Sequence, residues 1–355
     1  MSVSQKEIAQ YLGVSQALVG MALNSHPRIS VATRTRVQNA ATELGYDRDL
    51  NRAARQMAAR RHGLRILNNV IAVCSNPSSA PVHQQPFESD ILDGIESVAD
   101  AQGMDVLMCR LRTERLPRLI EKSEVDGIIM LSSKAEQLNA LHPFDIPIVK
   151  LGSSHPGIHS VSAEHYKGTV LTTSHLIELG HQNIAFIGHD ITLSAKESAL
   201  IDAASKRFAG YQAAMQKAKL PVKHMDCSLR DSFPEDGARA FKTLWKKSAG
   251  KITAVVCYND TLAMGVIQAA REIGLAVPRD LSVVGFDAVS TRFAFEPFIS
   301  SLGYDRELMG KRAVEILLEC RQGNTVLRGA ESGFIREELP VHFVEGVTTA
   351  PPRLI

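Results

Sequence analysis

The sequence predicts a small all-α module of helix-turn-helix type, followed by a larger α/β body with parallel sheets. Two observations support this prediction. Within residues 1–47, apolar residues recur at helical spacing in three short stretches. Between residues 70 and 287, short apolar runs alternate with helical patterns, which is typical of parallel strands covered by helices on both faces. Because the chain has 355 residues, roughly 290 remain after the module, enough for two domains of ordinary size.

Three helices are predicted in the module. Ser4 stands three residues before Glu7, and this capping box opens the first helix. Gly13 interrupts the first apolar pattern, and Ser15 is placed to cap a second helix. A third helix is predicted over residues 30–45, with a serine cap and a glycine stop. Two short helices joined by a glycine-containing turn form a helix-turn-helix.

Charge separates the module from the body. Residues 1–62 contain nine Lys and Arg against four Asp and Glu, a net charge of +5. The whole chain carries only +2, so the remainder is mildly acidic. A basic small module on an acidic large one is the pattern expected for contact with DNA. Three short amphipathic helices also occur in small domains that do not bind DNA, so the charge favours the nucleic-acid interpretation.

Several segments of the module resemble the headpiece of the lactose-repressor (LacI) family in order and spacing. They are residues 7–15 (EIAQYLGVS), 22–24 (ALN), 33–37 (TRTRV) and 43–46 (ELGY). The resemblance implies that outward residues at the start of the second helix read base edges. We therefore expect base contacts from Gln16, Ala17 and Met21, because Gln can bond adenine bidentately and Ala or Met can touch a thymine methyl.

The resemblance also implies contacts with the DNA backbone, which position the protein without specifying sequence. The family usually carries Ser-Arg where this chain has Gly20-Met21, so one potential guanine contact is missing and the operator is expected to differ from the common family site. Phosphate contacts are expected from Ser4, Ser15, Asn24, Thr33 and Arg34.

A hinge helix and linker are predicted over residues 48–66, between the DNA-binding domain (1–47) and the core (67–355). In the family the hinge reads Tyr-x-Pro-Asn and then Ala-Arg-x-Leu. Here Arg48-Asp49 replaces Pro-Asn, and Ala54-Arg55-Gln56-Met57 arrives about two residues late. By this resemblance Arg55 contacts DNA and Met57 is the apolar wedge that enters the minor groove. Packing of Met57 on a partner helix is the alternative.

The body is predicted to form two lobes, residues 67–165 with part of 288–320, and residues 166–287 with the C-terminal remainder. Ligands of open α/β sheets bind beyond the carboxyl ends of the strands, so polar residues at those points are candidate ligands of a small molecule. Asn259-Asp260 follows one predicted strand, Asp287 follows another, and Arg207 begins a helix. A role as a helix N-cap would account for Asn259 or Asp260 equally well, and a position in a turn would account for Asp287.

The resemblance extends to the effector-binding core of the same family, a two-lobed fold like that of periplasmic binding proteins. It rests on residues 175–188, 207–211, 259–265 and 277–287. It implies an effector in the cleft between the lobes, expected to be a carbohydrate, with an aromatic wall and polar groups at the rim. The implied effector-binding residues are Arg207, Asn259 and Asp287, with Phe87 as a stacking wall and Phe233 as a weaker second wall.

Departures from the family flank the same cleft. Glu164-His165 stands where the family commonly has Asp-Asn, and Gly152-Ser153 replaces a frequent Asp-Arg. His155, His159 and His165 lie close together in the sequence but lack metal-ligand spacing, so we expect a solvated loop and no metal site. No cofactor is expected.

Composition excludes several classes of protein. There is no run of 18 apolar residues and no apolar export signal, so we expect no membrane association and a cytoplasmic location. The five cysteines show no CxxC spacing, and Cys74 and Cys257 are expected to be reduced and buried.

Together these features predict a sequence-specific transcriptional repressor that binds a pseudo-palindromic double-stranded operator as a homodimer under the control of a small-molecule effector. No catalytic activity is expected, because common hydrolase, phosphate-loop and metalloprotease motifs are missing. The alternatives are a sugar-processing enzyme tethered to DNA and a solute-binding sensor without a role in transcription.

Overall fold

The computed structural model describes residues 3–23, 26, 29–46, 67–75, 86–112, 115–132, 135–141, 143–189, 201–227, 233–289, 298–321 and 333–353. The chain separates into two compact units, Met1–Leu67 and Asn68–Ile355. The predicted hinge with Arg55 and Met57 lies outside the described residues, as does Asn24.

The first unit contains three helices, α1 (Gln5–Leu12), α2 (Gln16–Leu23) and α3 (Val31–Glu43). The predicted capping box is present, since the Glu7 amide donates to Ser4 Oγ (3.3 Å) and the Ser4 amide donates to Glu7 Oε2 (2.6 Å). Gly13 ends α1 at a φ of +66°, a left-handed conformation that glycine adopts without steric cost. Alanines and branched aliphatic residues from all three helices form one core: Ile8, Ala9, Val19, Ala22, Leu23, Val37, Ala40 and Ala41.

The second unit alternates strands and helices as the sequence predicts. Its elements in chain order are β1 (Val70–Ser75), α4 (Pro86–Ala101), β2 (Asp105–Arg110), α5 (Arg118–Glu121), β3 (Gly127–Met130), α6 (Ala135–Leu141), β4 (Ile148–Leu151), β5 (His159–Ala163), α7 (His165–Glu178), β6 (Ile184–His189), α8 (Ile201–Lys217), β7 (His224–Cys227), α9 (Pro234–Lys247), β8 (Ala254–Cys257), α10 (Asp260–Glu272), β9 (Ser282–Val284), β10 (Ser301–Gly303), α11 (Arg306–Arg321), β11 (Arg336–Leu339) and β12 (His342–Val344).

Two parallel sheets form the two lobes. The first has the strand order β11-β5-β4-β3-β1-β2, and the second has the order β7-β6-β8-β9. Every pairing within them is parallel, and β10 and β12 form a separate antiparallel pair. Strands β1, β3, β4, β5, β8 and β9 are almost wholly buried, which explains why several of them read as continuous apolar runs.

The predicted lobe division is wrong for β11, whereas the last described residues do contact the second lobe, where the Val283 amide donates to the Thr348 carbonyl oxygen (2.8 Å). We assigned the C-terminal remainder to the second lobe, but β11 pairs with β5 at the edge of the first sheet, with Arg336 opposite Ser160 and Leu339 opposite Ala163. The pairing satisfies the exposed backbone edge of β5, which no other described strand covers. The first lobe therefore contains both α11 and β11.

Helices α4 and α11 cross with their backbones in contact. A β-carbon at Gly94 would overlap the carbonyl oxygen of Glu307, and one at Gly310 would overlap the carbonyl oxygen of Ile91. Each glycine thus admits the backbone of the opposite helix. This crossing fixes the first turns of both helices, which lie beside the polar cluster described below.

Four cysteines whose side chains are described, Cys74, Cys109, Cys257 and Cys320, are buried and form no disulfide with one another, as predicted for Cys74 and Cys257. Among the helices described, none combines the length and apolar character needed to traverse a bilayer.

Candidate effector site and DNA-binding face

Arg207 is the seventh residue of α8, which begins at Ile201 and not at Arg207 as predicted, and it is the centre of a buried polar cluster in the body. Only 5% of its surface is exposed. Its Nε–H donates to His165 Nδ1 (3.2 Å), one Nη–H donates to the Tyr258 carbonyl oxygen, and another donates to Asp287 Oδ1 (3.2 Å). The guanidinium carbon also lies 3.6 Å from the centre of the Phe286 ring. Three of the five guanidinium N–H groups are used in these bonds with described residues.

The residues of this cluster come from the carboxyl ends of strands in both sheets. His165 follows β5 of the first sheet, Tyr258 follows β8 and Asp287 follows β9 of the second. Sheets of this kind bind ligands at that edge. The structure therefore brings together Arg207 and Asp287, the two predicted residues with opposite charge, at the place where a ligand of the body is expected.

Asp287 lies in a strained loop that its surroundings hold in place. Its φ is +94° and that of Ala288 is +48°, two consecutive left-handed residues without a glycine. Asp287 Oδ1 also accepts from the Tyr304 hydroxyl (3.2 Å), and its carbonyl oxygen accepts from Arg306 Nη1. Asp287 can therefore occupy a turn and still be a candidate for ligand binding, because the strained backbone presents its carboxylate to Arg207.

Asn259 and Asp260 have different surroundings. The Asn259 side-chain oxygen caps α10 by accepting from the Leu262 amide (3.0 Å), so its amide nitrogen is the group left for an effector. Asp260 is fully buried and accepts from the Ser301 hydroxyl (2.5 Å) and the Val289 amide (2.8 Å). Burial raises the pKa of Asp260 to about 7. Through its bond with the Val289 amide, Asp260 supports the loop that carries Asp287.

Of the two predicted aromatic walls, the structure describes the side chain of Phe233 only. Phe87 lies in the first turn of α4, and its side chain is outside the described residues. Phe233 immediately precedes α9 and is 46% exposed, so it is available as a rim residue. Both roles stay predictions.

The prediction of a solvated loop around the three histidines is wrong for two of them. His159 lies within β5 and His165 begins α7, and both are almost fully buried. His165 Nδ1 accepts from Arg207, so its proton is on Nε2, which donates to the Gly152 carbonyl oxygen (2.8 Å). Burial first, and then the Arg207 charge, lower the pKa of His165 well below its ordinary value. Val161 and Ala163 alternate with Ser160 and Ser162, and this period of two was the signal that could have identified the strand.

We predict that His165 makes the stability of the body depend on pH. In the native state His165 stays neutral, whereas in the unfolded chain it binds a proton near pH 6.5, so lowering the pH below that value favours unfolding. Relative to a His165→Gln variant, the native protein should lose up to about 1.4 kcal/mol of unfolding free energy per pH unit below about 6.5. Urea unfolding at about pH 5.5 and 7.5, monitored by Trp245 fluorescence, measures this. Equal pH dependence in both proteins would contradict the neutral assignment.

Arg306, which the sequence analysis did not single out, links the Asp287 loop to the first lobe. Its Nε and Nη2 lie 2.8 and 2.6 Å from Asp90 Oδ2 on α4, and its Nη1 donates to the Asp287 carbonyl oxygen. Arg306 and the Asp90 carboxylate are largely buried. A salt bridge in these surroundings fixes geometry more than it adds stability. Arg306 therefore positions the loop against α4.

In the first unit, the predicted base-reading residues share one outward surface of α2. Gln16, Ala17 and Met21 are exposed, while Val19 and Leu23 on the same helix are buried. Ser15 caps this helix by accepting from the Leu18 amide (3.2 Å). The arrangement leaves the first turn of α2 free to enter a major groove.

The predicted phosphate contacts are partly occupied by helix caps. Ser4 Oγ donates to Glu7 Oε2 (2.8 Å), and the Thr33 hydroxyl lies 2.8 Å from Ser30 Oγ. Arg34 is half-buried and donates to the His26 carbonyl oxygen (3.4 Å). A phosphate at these positions would share or replace such bonds, so the phosphate roles stay predictions.

A helix-turn-helix module joined to a two-lobed α/β body with a polar cluster at the carboxyl ends of its strands defines a ligand-responsive DNA-binding protein. Residues 4–49 match the family described as bacterial regulatory proteins, lacI family, and residues 173–346 match the periplasmic binding protein-like domain. The chain therefore combines a LacI-family helix-turn-helix domain with a periplasmic-binding-protein-like domain.

Individual relatives agree with this assignment over nearly the whole chain. The HTH-type transcriptional repressor PurR of Vibrio parahaemolyticus is 29% identical over 325 residues, which cover 88% of this chain and 90% of the relative. The Lac repressor dimer bound to operator and the anti-inducer ONPF is 26% identical, with a TM-score of 0.71 over 99% of this chain and 100% of that one. The transcriptional regulator CelR in complex with cellobiose has the same fold, with 22% identity and a TM-score of 0.68 over 98% of this chain and 99% of that one. The predicted fold class and the predicted function as an effector-controlled DNA-binding regulator are confirmed.

Proposed function

We propose that this protein is a repressor whose affinity for its operator is set by a small molecule bound at the Arg207–Asp287 cluster. The observation that supports this most is the position of the cluster, at the carboxyl ends of strands from both sheets. A ligand there contacts both lobes. The ligand favours the arrangement of the lobes that it binds more tightly. It can shift the equilibrium between two arrangements only by the difference between its affinities for them.

The chemistry of the cluster suits a ligand with several hydroxyl groups. Asp287 can accept hydroxyl protons, and the guanidinium N–H groups of Arg207 and the amide nitrogen of Asn259 can donate to hydroxyl oxygens. Related structures contain cellobiose and ribose. The effector of this protein is accordingly a carbohydrate or a carbohydrate derivative.

The protein acts as a homodimer in the cytoplasm. One three-helix module contacts too few base pairs for specific binding, whereas a two-fold dimer places two modules on the half-sites of a pseudo-palindromic operator. The relative solved with its operator is described as a dimer. The body, with its two sheets, supplies the surface for this association. The relatives reported above are regulators, which supports a role without catalysis.

Operator binding with effector control is tested on the purified full-length chain. A selection from random duplexes should give a pseudo-palindromic sequence whose affinity falls steeply with salt, because basic residues displace counterions from the phosphates. A panel of sugars, sugar derivatives and nucleosides is then added to the complex, and at least one should change the affinity. Absence of any sequence-selective duplex would contradict the proposal, and so would an operator complex that no metabolite alters.

We predict that Gln16→Ala weakens binding at one base pair in each half-site. Gln16 is exposed in the first turn of α2, and loss of a bidentate contact costs about 1–3 kcal/mol, roughly 5- to 150-fold in affinity. Competition with operators changed at single positions measures this. The matched control is Gln10→Ala, an exposed glutamine on α1, which should leave the base preference intact. A uniform loss over all sequences would identify Gln16 as a backbone contact.

A further inference from the structure

A buried glutamate lies in the first turn of α4. Glu88 is only 3% exposed, although glutamate is almost never buried to this extent unless it is paired. Among the residues that the structure describes, none donates a hydrogen bond to Glu88 Oε2, and that atom is enclosed. A buried acceptor without a donor costs free energy, and the cost is larger when the group is charged. Such a group in a folded protein requires an explanation.

Glu88 lies on the face of α4 that packs against the first sheet. Ile91, Ile95 and Ala99 on this helix belong to the buried apolar cluster of that sheet. Glu88 precedes Ile91 by three residues, so both side chains lie on the same side of the helix. An apolar residue at this position would continue the stripe and would need no partner. The packing of α4 therefore does not account for a carboxyl group here.

The carboxyl group of Glu88 lies near the carboxyl ends of β1 and β2. Val73 of β1 belongs to the same apolar cluster as α4, so alternation along the strand places Ser75, the last residue of β1, on the face that α4 covers. Arg110, the last residue of β2, is the register partner of Ser75. The charge of Arg110 acts on the pKa of Glu88, which places the carboxyl group close to these strand ends.

These strand ends are the place in the first sheet where a ligand is expected. The strand order puts β2 on one side of β1 and all later strands of the sheet on the other side. Open α/β sheets bind ligands beyond the carboxyl ends of the strands at such a change of direction. The first turn of α4 is also joined to the Arg207 cluster, because Asp90 is bonded to Arg306, which donates to the Asp287 carbonyl oxygen.

Burial dominates the electrostatic surroundings of Glu88. It raises the pKa of Glu88 to about 7, and the charge of the exposed Arg110 side chain offsets this increase only in part. The other carboxylates in the first two turns of α4 have different surroundings, since Asp90 is paired with Arg306 and Asp93 is exposed. A donor that reached Glu88 would stabilise its charged form.

We propose that Glu88 is an effector-binding residue, and that its Oε2 atom accepts a hydrogen bond from a hydroxyl or amino group of the effector beyond the carboxyl end of β1. This inference rests on the proposed function and deepens it. The effector carries a hydrogen-bond donor on the side that faces the first lobe, besides the hydroxyl groups that meet Asp287 and Arg207. The buried carboxyl group lowers the stability of the free protein, and the bound effector supplies the missing partner.

The first test needs no ligand. Glu88→Met keeps the length of the side chain and removes the carboxyl group, so it should raise the thermal unfolding temperature of the full-length chain by a few degrees. The increase should be larger at pH 8 than at pH 5. The native carboxyl group keeps a proton up to about pH 7, whereas the unfolded one loses it near pH 4.5, so the native protein loses stability as the pH rises through this range. Circular dichroism at both pH values measures the effect.

The matched control for this comparison is Glu96→Met, which removes an exposed glutamate from the same helix. Its unfolding temperature should stay close to that of the unaltered protein at both pH values. A glutamate that stabilises the native structure through a partner would give the opposite sign at position 88, with a lower unfolding temperature for Glu88→Met at pH 8.

The second test adds D-ribose, D-glucose, D-glucosamine, cellobiose and guanosine to the operator complex of the full-length chain. A probe that changes the operator affinity of the unaltered protein should act on Glu88→Met only at concentrations about 10- to 150-fold higher, because a hydrogen bond to a charged group contributes about 1.5–3 kcal/mol. Glu88→Gln keeps an acceptor oxygen and should keep part of the response. Glu96→Met should respond as the unaltered protein does. Comparison of glucose with glucosamine separates a hydroxyl donor from an amino donor.

Two results would overturn the assignment of Glu88. One is a lower unfolding temperature for Glu88→Met at pH 8. The other is an equal response of Glu88→Met and the unaltered protein to the same probe, in which case the proposed function still stands. If no probe alters operator affinity, the proposed function is contradicted, and the unfolding comparison decides on Glu88 by itself. A more stable Glu88→Met would then still identify a carboxyl group that is kept for a ligand.

Discussion

Replacement of Arg207 by alanine should abolish the response to effector and lower the free energy of unfolding of the body by about 3–5 kcal/mol. Arg207 is the one residue that contacts His165, the Tyr258 carbonyl oxygen and Asp287 together. Without Arg207, the Tyr304 hydroxyl would be the one side chain among the described residues that still donates to the Asp287 carboxylate. Urea unfolding and titration of effector into the operator complex measure the two effects.

The neighbouring lysine provides a matched control. Lys206 forms an ion pair with Glu338 (2.9 Å) in which both side chains are well exposed, so Lys206→Ala should change stability by no more than about 1 kcal/mol. The double variant Arg207→Ala with Asp287→Asn removes the carboxylate as well and should regain part of the lost stability. Operator binding without effector should persist in all three. If Arg207→Ala unfolded like the Lys206→Ala control, or if it still responded to effector, the central role of Arg207 would be refuted.

Gly265→Ala is expected to destabilise the second lobe by about 2–3 kcal/mol, although alanine is the better helix former. A β-carbon at Gly265 in α10 would overlap the carbonyl oxygen of Pro234 in α9, and one at Gly237 in α9 would overlap the carbonyl oxygen of Leu262. The two helices therefore cannot keep their spacing once a methyl group is added. Trp245 lies on α9 and is the only tryptophan in the chain, so its fluorescence reports the loss.

The same substitution elsewhere separates packing from helix propensity. Gly20 lies within α2, and a β-carbon there would meet only the far end of the flexible Gln5 side chain, at 3.3 Å. Gly20→Ala should therefore be neutral or stabilising for the first unit, by up to about 1 kcal/mol. A Gly265→Ala protein as stable as the unaltered one would show that α9 and α10 are not packed as tightly as the structure indicates.

The features of the fold that could be predicted were those determined by residues close together in the sequence. Ser15 and Ser30 cap helices where the sequence places caps, and the apolar runs at 70–75 and 254–257 are central strands. The edge strand β11 escaped prediction because its sequence, REEL, has a single buried residue and no apolar run. Helix α11 was also missed, because its buried residues surround much of its circumference and give little periodicity.

The candidate site was predictable only in part. Arg207 and Asp287 were identified from the family resemblance, and the structure brings them into contact. His165 was assigned to a solvated loop, while Glu88 and Arg306 were not considered as site residues. Each is a polar residue that is buried because distant segments surround it, and residue type alone predicts exposure for such side chains.

Local chemistry in the chain was sufficient to establish a basic three-helix module and an α/β body, because caps, periodicity and charge act over a few residues. The folded chain alone established which groups meet at the carboxyl edges of the sheets, since His165, Arg207 and Asp287 are separated by tens of residues. Their protonation and strain arise from mutual burial, as the neutral His165 and the left-handed Asp287 show. Those properties belong to the packed assembly of segments and to no single stretch of sequence.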